Sequence, residues 1–431
     1  MKKIILIIFF SITFINYAYA SSLVQALKKA YKNNAKLNAE RQNLEISKEK
    51  INEAKSDFLP TVTISGYLSN ENTTRQTDRK GKVSESDFEP SQQKILIEQS
   101  IYEGKRRHAN LEKNNIGFSL AKFKLKKIEQ EILFESIEAY TQLVLSNKKV
   151  KINKENLSLV ERQVETDKNR LQRGEINLTD LAQSEASLAG ATAKLIEEEN
   201  NLIISKLNYE KTIGSINNYK NLTNMGSFNY ELPRSLALAI DISKKENPDL
   251  NIAILELEQS KQDVLIAKSE LMPSAKISFE VRENQDLSSS VDERDQEILK
   301  AEASWPFFLG GKNTASLKRS KSLKYQKELL LEDSFKSNEA LVTNAWSHLK
   351  SSKSFLVSVK SQVKAAEIAN EGITQEYESG LGRSTLDVIQ SNSMLLDAKT
   401  SLVNSQRDLL LSKYQLLSSI GRLTALNLGL N

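Results

Sequence analysis

Apolar side chains recur three and four positions apart over residues 22–57 and again over 235–271, in a background rich in Ala, Leu, Glu and Lys, and each run halts at Pro60 or Pro273. That spacing is one face of an α-helix, and proline cannot continue it, so each run predicts a helix of about ten turns. The period then becomes two. Val62, Ile64 and Leu68 alternate with Thr61, Thr63 and Ser65, while Ile277, Phe279 and Val281 alternate with Lys276, Ser278 and Glu280. Polar stretches at 71–90 and 284–293 read as loops. Alternation returns as Ile95, Ile97 and Ile101 against Lys94, Glu98 and Ser100, and as Leu299, Ala301, Ala303 and Trp305 against Lys300, Glu302 and Ser304. Two hairpins, four strands in all, are predicted.

No Gly or Pro interrupts the chain between Gly117 and Gly174 or between Gly311 and Gly372, room for two helices of roughly 60 residues and about 90 Å. Such helices outrun a globular core and must lie along other helices as coiled coils, as the spacing of Leu133, Ile137, Tyr140 and Val144, and of Leu157, Val160 and Val164, supports. Each is predicted to end at Gly174 or Gly380. The chain restarts at Asn177 or Ser384, good N-caps with Asp180 or Asp387 three positions on, and return helices cover about 178–215 and 385–420.

The two series of elements are the same series. Leu23–Leu37 aligns with Leu236–Leu250, pairing Ala26 with Ala239 and Asn34 with Asn247; Leu59-Pro60 then falls on Met272-Pro273, Gly104-Lys105 on Gly311-Lys312, and Asp180 on Asp387. The organisation that follows is a first repeat at 21–215, a connector at 216–234, a second repeat at 235–420 and a C-terminal tail at 421–431. Ahead of them, Lys2 and Lys3 precede the apolar run Ile4–Ile15 and the small-residue ending Tyr17-Ala18-Tyr19-Ala20, the pattern of a secretory signal peptide over 1–20.

Composition narrows the chemistry. The 431 residues contain no Cys and two His, so disulfides, thiolate sites and an acylated N-terminal Cys are excluded, and a histidine-built metal centre has almost no material. His348 follows Leu341 and Ala345 and reads as a packed residue; His108, beside Arg106 and Arg107, reads as solvated. No nucleophile–base pair at a catalytic spacing and no Gly-rich phosphate loop occurs, so neither an enzyme nor a cofactor is expected. The net charge of +5 is spread over mixed-sign helices, without the basic face that nucleic acid requires.

Strands with one apolar and one polar face suit a barrel wall between lipid and water. Four strands cannot close a barrel and lipid tolerates no open edge, so copies of the chain must pool strands, and a cyclic trimer supplies twelve. The alternative is a small soluble sheet capping a helical rod, which has a structural or adhesive role and no conductance.

The order of these elements, with Phe58-Leu59-Pro60, Glu246-Asn247-Pro248-Asp249-Leu250, Trp305-Pro306-Phe307-Phe308-Leu309-Gly310-Gly311 and Tyr377-Glu378-Ser379-Gly380 before Leu386-Asp387-Val388, resembles the TolC family of outer-membrane efflux and type I secretion proteins. The resemblance covers essentially the whole mature chain. It implies a fold that is mainly α with a β-barrel portion: long antiparallel coiled-coil helices forming a trimeric periplasmic tunnel, and four strands per chain contributing to a shared twelve-stranded outer-membrane barrel. It implies an exit duct served by a periplasmic adaptor and an inner-membrane pump or ABC transporter, embedded in outer-membrane lipid. At the tunnel tip, Tyr377 matches the family's latch tyrosine, Thr179 and Asp180 its partners, Arg383 the latch arginine and Asp387 the outer of two constricting aspartate rings, the second position being Gln390. Asp180 and Asp387 equally fit capping boxes, Tyr377 equally fits a coiled-coil position, and the second turn is one residue longer than the first.

Overall fold

The computed structural model describes residues 22–430 apart from 217, 220, 221, 223, 289 and 290; the expected signal peptide lies outside the described residues. Helices come in pairs of equal length: α1 (Leu23–Asn33) and α5 (Leu236–Glu246) of 11 residues, α2 (Ala35–Ser56) and α6 (Pro248–Ser269) of 22, α3 (Arg106–Gln172) and α7 (Lys312–Glu378) of 67, and α4 (Leu178–Thr212) and α8 (Thr385–Ser419) of 35. Among the described residues no helix is long and apolar enough to cross a membrane.

The helices expected over 22–57 and 235–271 are each broken. Asn34 and Asn247 take up extended backbone angles, φ −65 with ψ 123 and 124. The Asn34 side chain accepts the N–H of Leu37, and that of Asn247 accepts those of Asp249 and Leu250. A short amide that satisfies the first N–H groups of a new helix competes with continuing the old one, and Pro248 at the first helical position reinforces the break. The long helices begin near the strands, at Arg106 and Lys312, so Gly117 and Gly372 lie inside them.

The chain forms two compact units, one of residues up to Asn38 with Ile128–Ser243 and Ala340–Asn431, the other of Ala39–Lys127 with Lys244–Glu339. In the first, Leu133, Ile137, Tyr140 and Val144 of α3 are fully buried, as their spacing predicts, against Leu23, Ala26 and Leu27 of α1 and Leu410, Tyr414 and Leu417 of α8. Leu222 and Met225 of the connector and Leu423, Ala425 and Leu428 of the tail enter the same core, and the Tyr230 hydroxyl donates to the Leu428 carbonyl at 3.4 Å. His348 is exposed, contrary to expectation. The buried stripe of α7 runs through Val342 and Ala345 with Leu349 packed against it, and Leu341 and His348, seven apart, share the neighbouring outward face.

The second unit holds a four-stranded antiparallel sheet in the order β1 (Thr61–Leu68), β4 (Ser91–Glu103), β5 (Ser274–Ser288), β6 (Val291–Ser304). Val62 lies opposite Ile97, Ile97 opposite Phe279 and Phe279 opposite Leu299, an apolar row across all four strands. On the other face Glu98 lies opposite Thr61 and Ser278, and its carboxylate takes the Lys276 ammonium at 3.1 Å.

Two expected loops are instead strand. Residues 71–90 contain β2 (Glu71–Thr77) and β3 (Val83–Phe88), paired as a separate two-stranded ribbon, so the described residues hold six strands rather than four. Asp78 builds its turn by accepting the N–H groups of Lys80 and Lys82 at 2.8 and 2.9 Å. Residues 284–288 and 291–293 likewise belong to the ends of β5 and β6. Both stretches are mostly polar, and Val83, Phe88, Leu287 and Val291 are too few to set up a hydrophobic alternation.

Candidate functional site

The two helix–turn–helix ends of the first unit are built alike. The backbone of α3 closes with Gly174 N–H on Leu171 O and Glu175 N–H on Arg170 O; that of α7 closes with Gly380 N–H on Tyr377 O and Leu381 N–H on Glu376 O. These are Schellman closures, which need a left-handed residue, and Gly174 and Gly380 supply it at φ 73 and 72. Asn177 and Ser384 then cap α4 and α8, with Asp180 and Asp387 returning a carboxylate to the cap N–H, two complete capping boxes.

Asp180 and Asp387 are therefore occupied by their own helix starts. Asp387 accepts both the N–H and the hydroxyl of Ser384 at 2.9 Å, and these bonds hold its carboxyl below the ordinary carboxylate range. A depressed pKa means that the cap contributes fully above the unfolded value and is lost as pH falls through the lowered one. The protection factor of the first-turn amides of α8, their exchange relative to the intrinsic rate at each pH, is thus expected to stay constant through mildly acidic pH and to fall only below the ordinary carboxylate range; a fall near neutrality would contradict the assignment.

Arg383 is exposed and its guanidinium meets Glu376 at 2.6 Å, not an aspartate of the other turn. Thr179 is exposed; its N–H donates to Asn177 Oδ1. Gln390 is exposed.

Tyr377 alone among the expected residues joins the two turns, and it does so through a residue that sequence reasoning missed. Its hydroxyl is buried and donates to Asp167 Oδ1 at 2.5 Å. Thr385 Oγ1 lies 3.0 Å from the same hydroxyl and, since the phenol proton is already committed, Thr385 is the donor. The Asp167 carboxylate, fully buried, also accepts Gln163 Nε2 at 2.9 Å and the Ser184 hydroxyl. The Arg170 guanidinium lies 4.3 Å from the Tyr377 ring centre and donates to the Tyr377 carbonyl at 3.1 Å. Burial, with the carboxylate beside it, raises the Tyr377 pKa, so the phenol keeps its proton.

One node thus ties α3, α4, α7 and α8 together within a single chain. The signal for Asp167 was present: it continues the Val160 and Val164 stripe, where a carboxylate is out of place on an apolar face. A proton-bearing phenol on a buried carboxylate, fixed by three further donors, makes a rigid clasp rather than an acid–base pair.

The profile of a family described as outer membrane efflux protein matches residues 26–215 and 239–426. The chain is 25% identical over 415 residues to outer membrane efflux protein BepC of Brucella suis, covering 96% of this chain and 88% of that protein. It is 21% identical over 440 residues to outer membrane protein TolC of Escherichia coli, covering 98% and 87%. The crystal structure of the Campylobacter jejuni CmeC outer membrane channel superposes with a TM-score of 0.80 at 15% identity, covering 93% of this chain and 85% of that one.

Proposed function

The chain belongs to the outer membrane efflux protein family, and on that premise we propose that it is the passive exit duct of a tripartite efflux pump or type I secretion system. Small molecules or polypeptides leave through it across the outer membrane. In this reading the protein is a homotrimer whose sheets pool into a twelve-stranded barrel in outer-membrane lipid and whose helices line a periplasmic tunnel. A periplasmic adaptor and an inner-membrane pump or ABC transporter supply energy and substrate choice. Tyr377, with Thr179, Asp180 and Arg383, belongs to a latch that keeps the tunnel tip closed at rest, and Asp387 contributes to a constriction there.

The observation that carries the reading is the four-stranded sheet. Among the described residues its outer strands β1 and β6 each pair on one side only, and its apolar row is exposed: Val62 is 62% exposed and Leu299 75%. An unpaired edge beside an apolar face is stable neither in water nor in lipid, and pairing with copies of itself removes both faults. Ile196, Ile203 and Leu207 on α4, exposed and spaced by seven and four, offer the helices a matching seam. The protein purified from outer membranes is therefore expected to run as a heat-resistant trimer in detergent. A monodisperse, water-soluble monomer would refute the barrel.

A further inference from the structure

A cavity of about 390 Å³ in the first unit lies between the connector and helices α3 and α8. Two ammonium groups line it, Lys148 of α3 and Lys413 of α8, both half-buried, and no carboxylate is among its lining residues. Other half-buried lysines are satisfied, Lys113 by Asp263, Lys327 by Glu256 and Lys29 by the Ser215 carbonyl. Lys148 and Lys413 have no such partner among the described residues, and Lys413 Nζ instead sits 5.3 Å from the Phe228 ring centre. Burial lowers the Lys148 pKa, the response of a cation whose lost hydration nothing has replaced.

The remaining polar groups have the same bias. Gln406 stands seven residues before Lys413, on the same face of α8, and its amide has no hydrogen-bond partner among the described residues. Asn224 has committed its Oδ1 to the Gly226 N–H at 2.9 Å, which leaves its amino group as the free end. Two ammonium-bearing and two amide-bearing side chains thus line one cavity with no carboxylate among them, beside the buried Met225. Lys148 loses hydration here without gaining a counter-charge, and an anion seated in the cavity would supply one.

We propose that this cavity is an anion site that takes a carboxylate or phosphate group, held by Lys148 and Lys413 with Gln406 and Asn224 as neutral donors. The proposal does not depend on the duct reading. A soluble anion or an acidic side chain of a second copy could supply the same chemistry, and the test separates them.

Full-length protein in detergent is titrated calorimetrically with inorganic phosphate and with citrate at low ionic strength. Saturable binding is expected, weakened at least about tenfold by Lys148→Met and by Lys413→Met and retained in Lys148→Arg. Lys151→Met, on the exposed side of α3, should leave it unchanged. If a second copy fills the cavity, neither probe binds, and Lys148→Met and Lys413→Met lower the temperature at which the assembly dissociates while Lys151→Met does not. Saturable binding insensitive to both lysines, or no binding together with unaltered assembly, would overturn the proposal.

Discussion

Replacing Phe279 by Arg is expected to abolish stable assembly in the outer membrane, whereas replacing Lys276 by Gln leaves assembly intact. Phe279 stands in the centre of the apolar row, opposite Ile97 on one side and Leu299 on the other. If this row is the lipid face of the proposed barrel, a guanidinium there near mid-barrel costs about 2–4 kcal/mol per strand, and the proposed trimer incurs it three times. Lys276 lies on the opposite face, where its ammonium meets Glu98, and an ion pair so open to water contributes little to stability. The heat-resistant fraction on gels reads the difference. Equal loss in both variants, or loss only at Lys276, would mean that the faces are assigned the wrong way round, since a slip of one residue exchanges them.

The second large effect belongs to the clasp at the helix turns. Tyr377→Phe removes the donor by which α7 reaches the buried Asp167 and leaves that carboxylate with Gln163 and Ser184 alone, at a cost of about 1–3 kcal/mol per chain. Combined with Arg383→Ser, which frees Glu376 beside it, the substitution is expected to accelerate sugar-driven swelling of proteoliposomes several-fold with the trimer preserved. Asp167→Ala should do the same. Thr385→Ala, which removes a donor to the phenol but not the phenol's bond to Asp167, should have a smaller effect. If all three variants swell at the unaltered rate, Tyr377 only packs the coiled coil and closes nothing.

Much of this was legible because the chain is punctuated. Gly174, Gly380, Asn177 and Ser384 act through their own backbone neighbourhood, so the ends of the long helices and their caps could be read locally, and the apolar rows of β1, β4, β5 and β6 follow from a period of two. The break at Asn34 was missed because asparagine also sits on exposed helix faces; its counterpart Asn247, followed by Pro248, carried the stronger signal. The ribbon of β2 and β3 pairs through backbone and polar side chains and has no apolar face to betray it. At the site, the carboxylates visible in sequence, Asp180 and Asp387, are those bonded three residues away, while Asp167 finds its phenol 210 positions along the chain, a pairing that exists only once both hairpins are folded.

Single-channel recording in planar bilayers tests the duct most directly. Purified trimer is predicted to insert as discrete, uniform and small conductance steps, and the Tyr377→Phe, Arg383→Ser variant as steps several-fold larger. Heat-resistant, correctly folded trimer that inserts into the bilayer yet passes no ions, with or without the clasp, would contradict it.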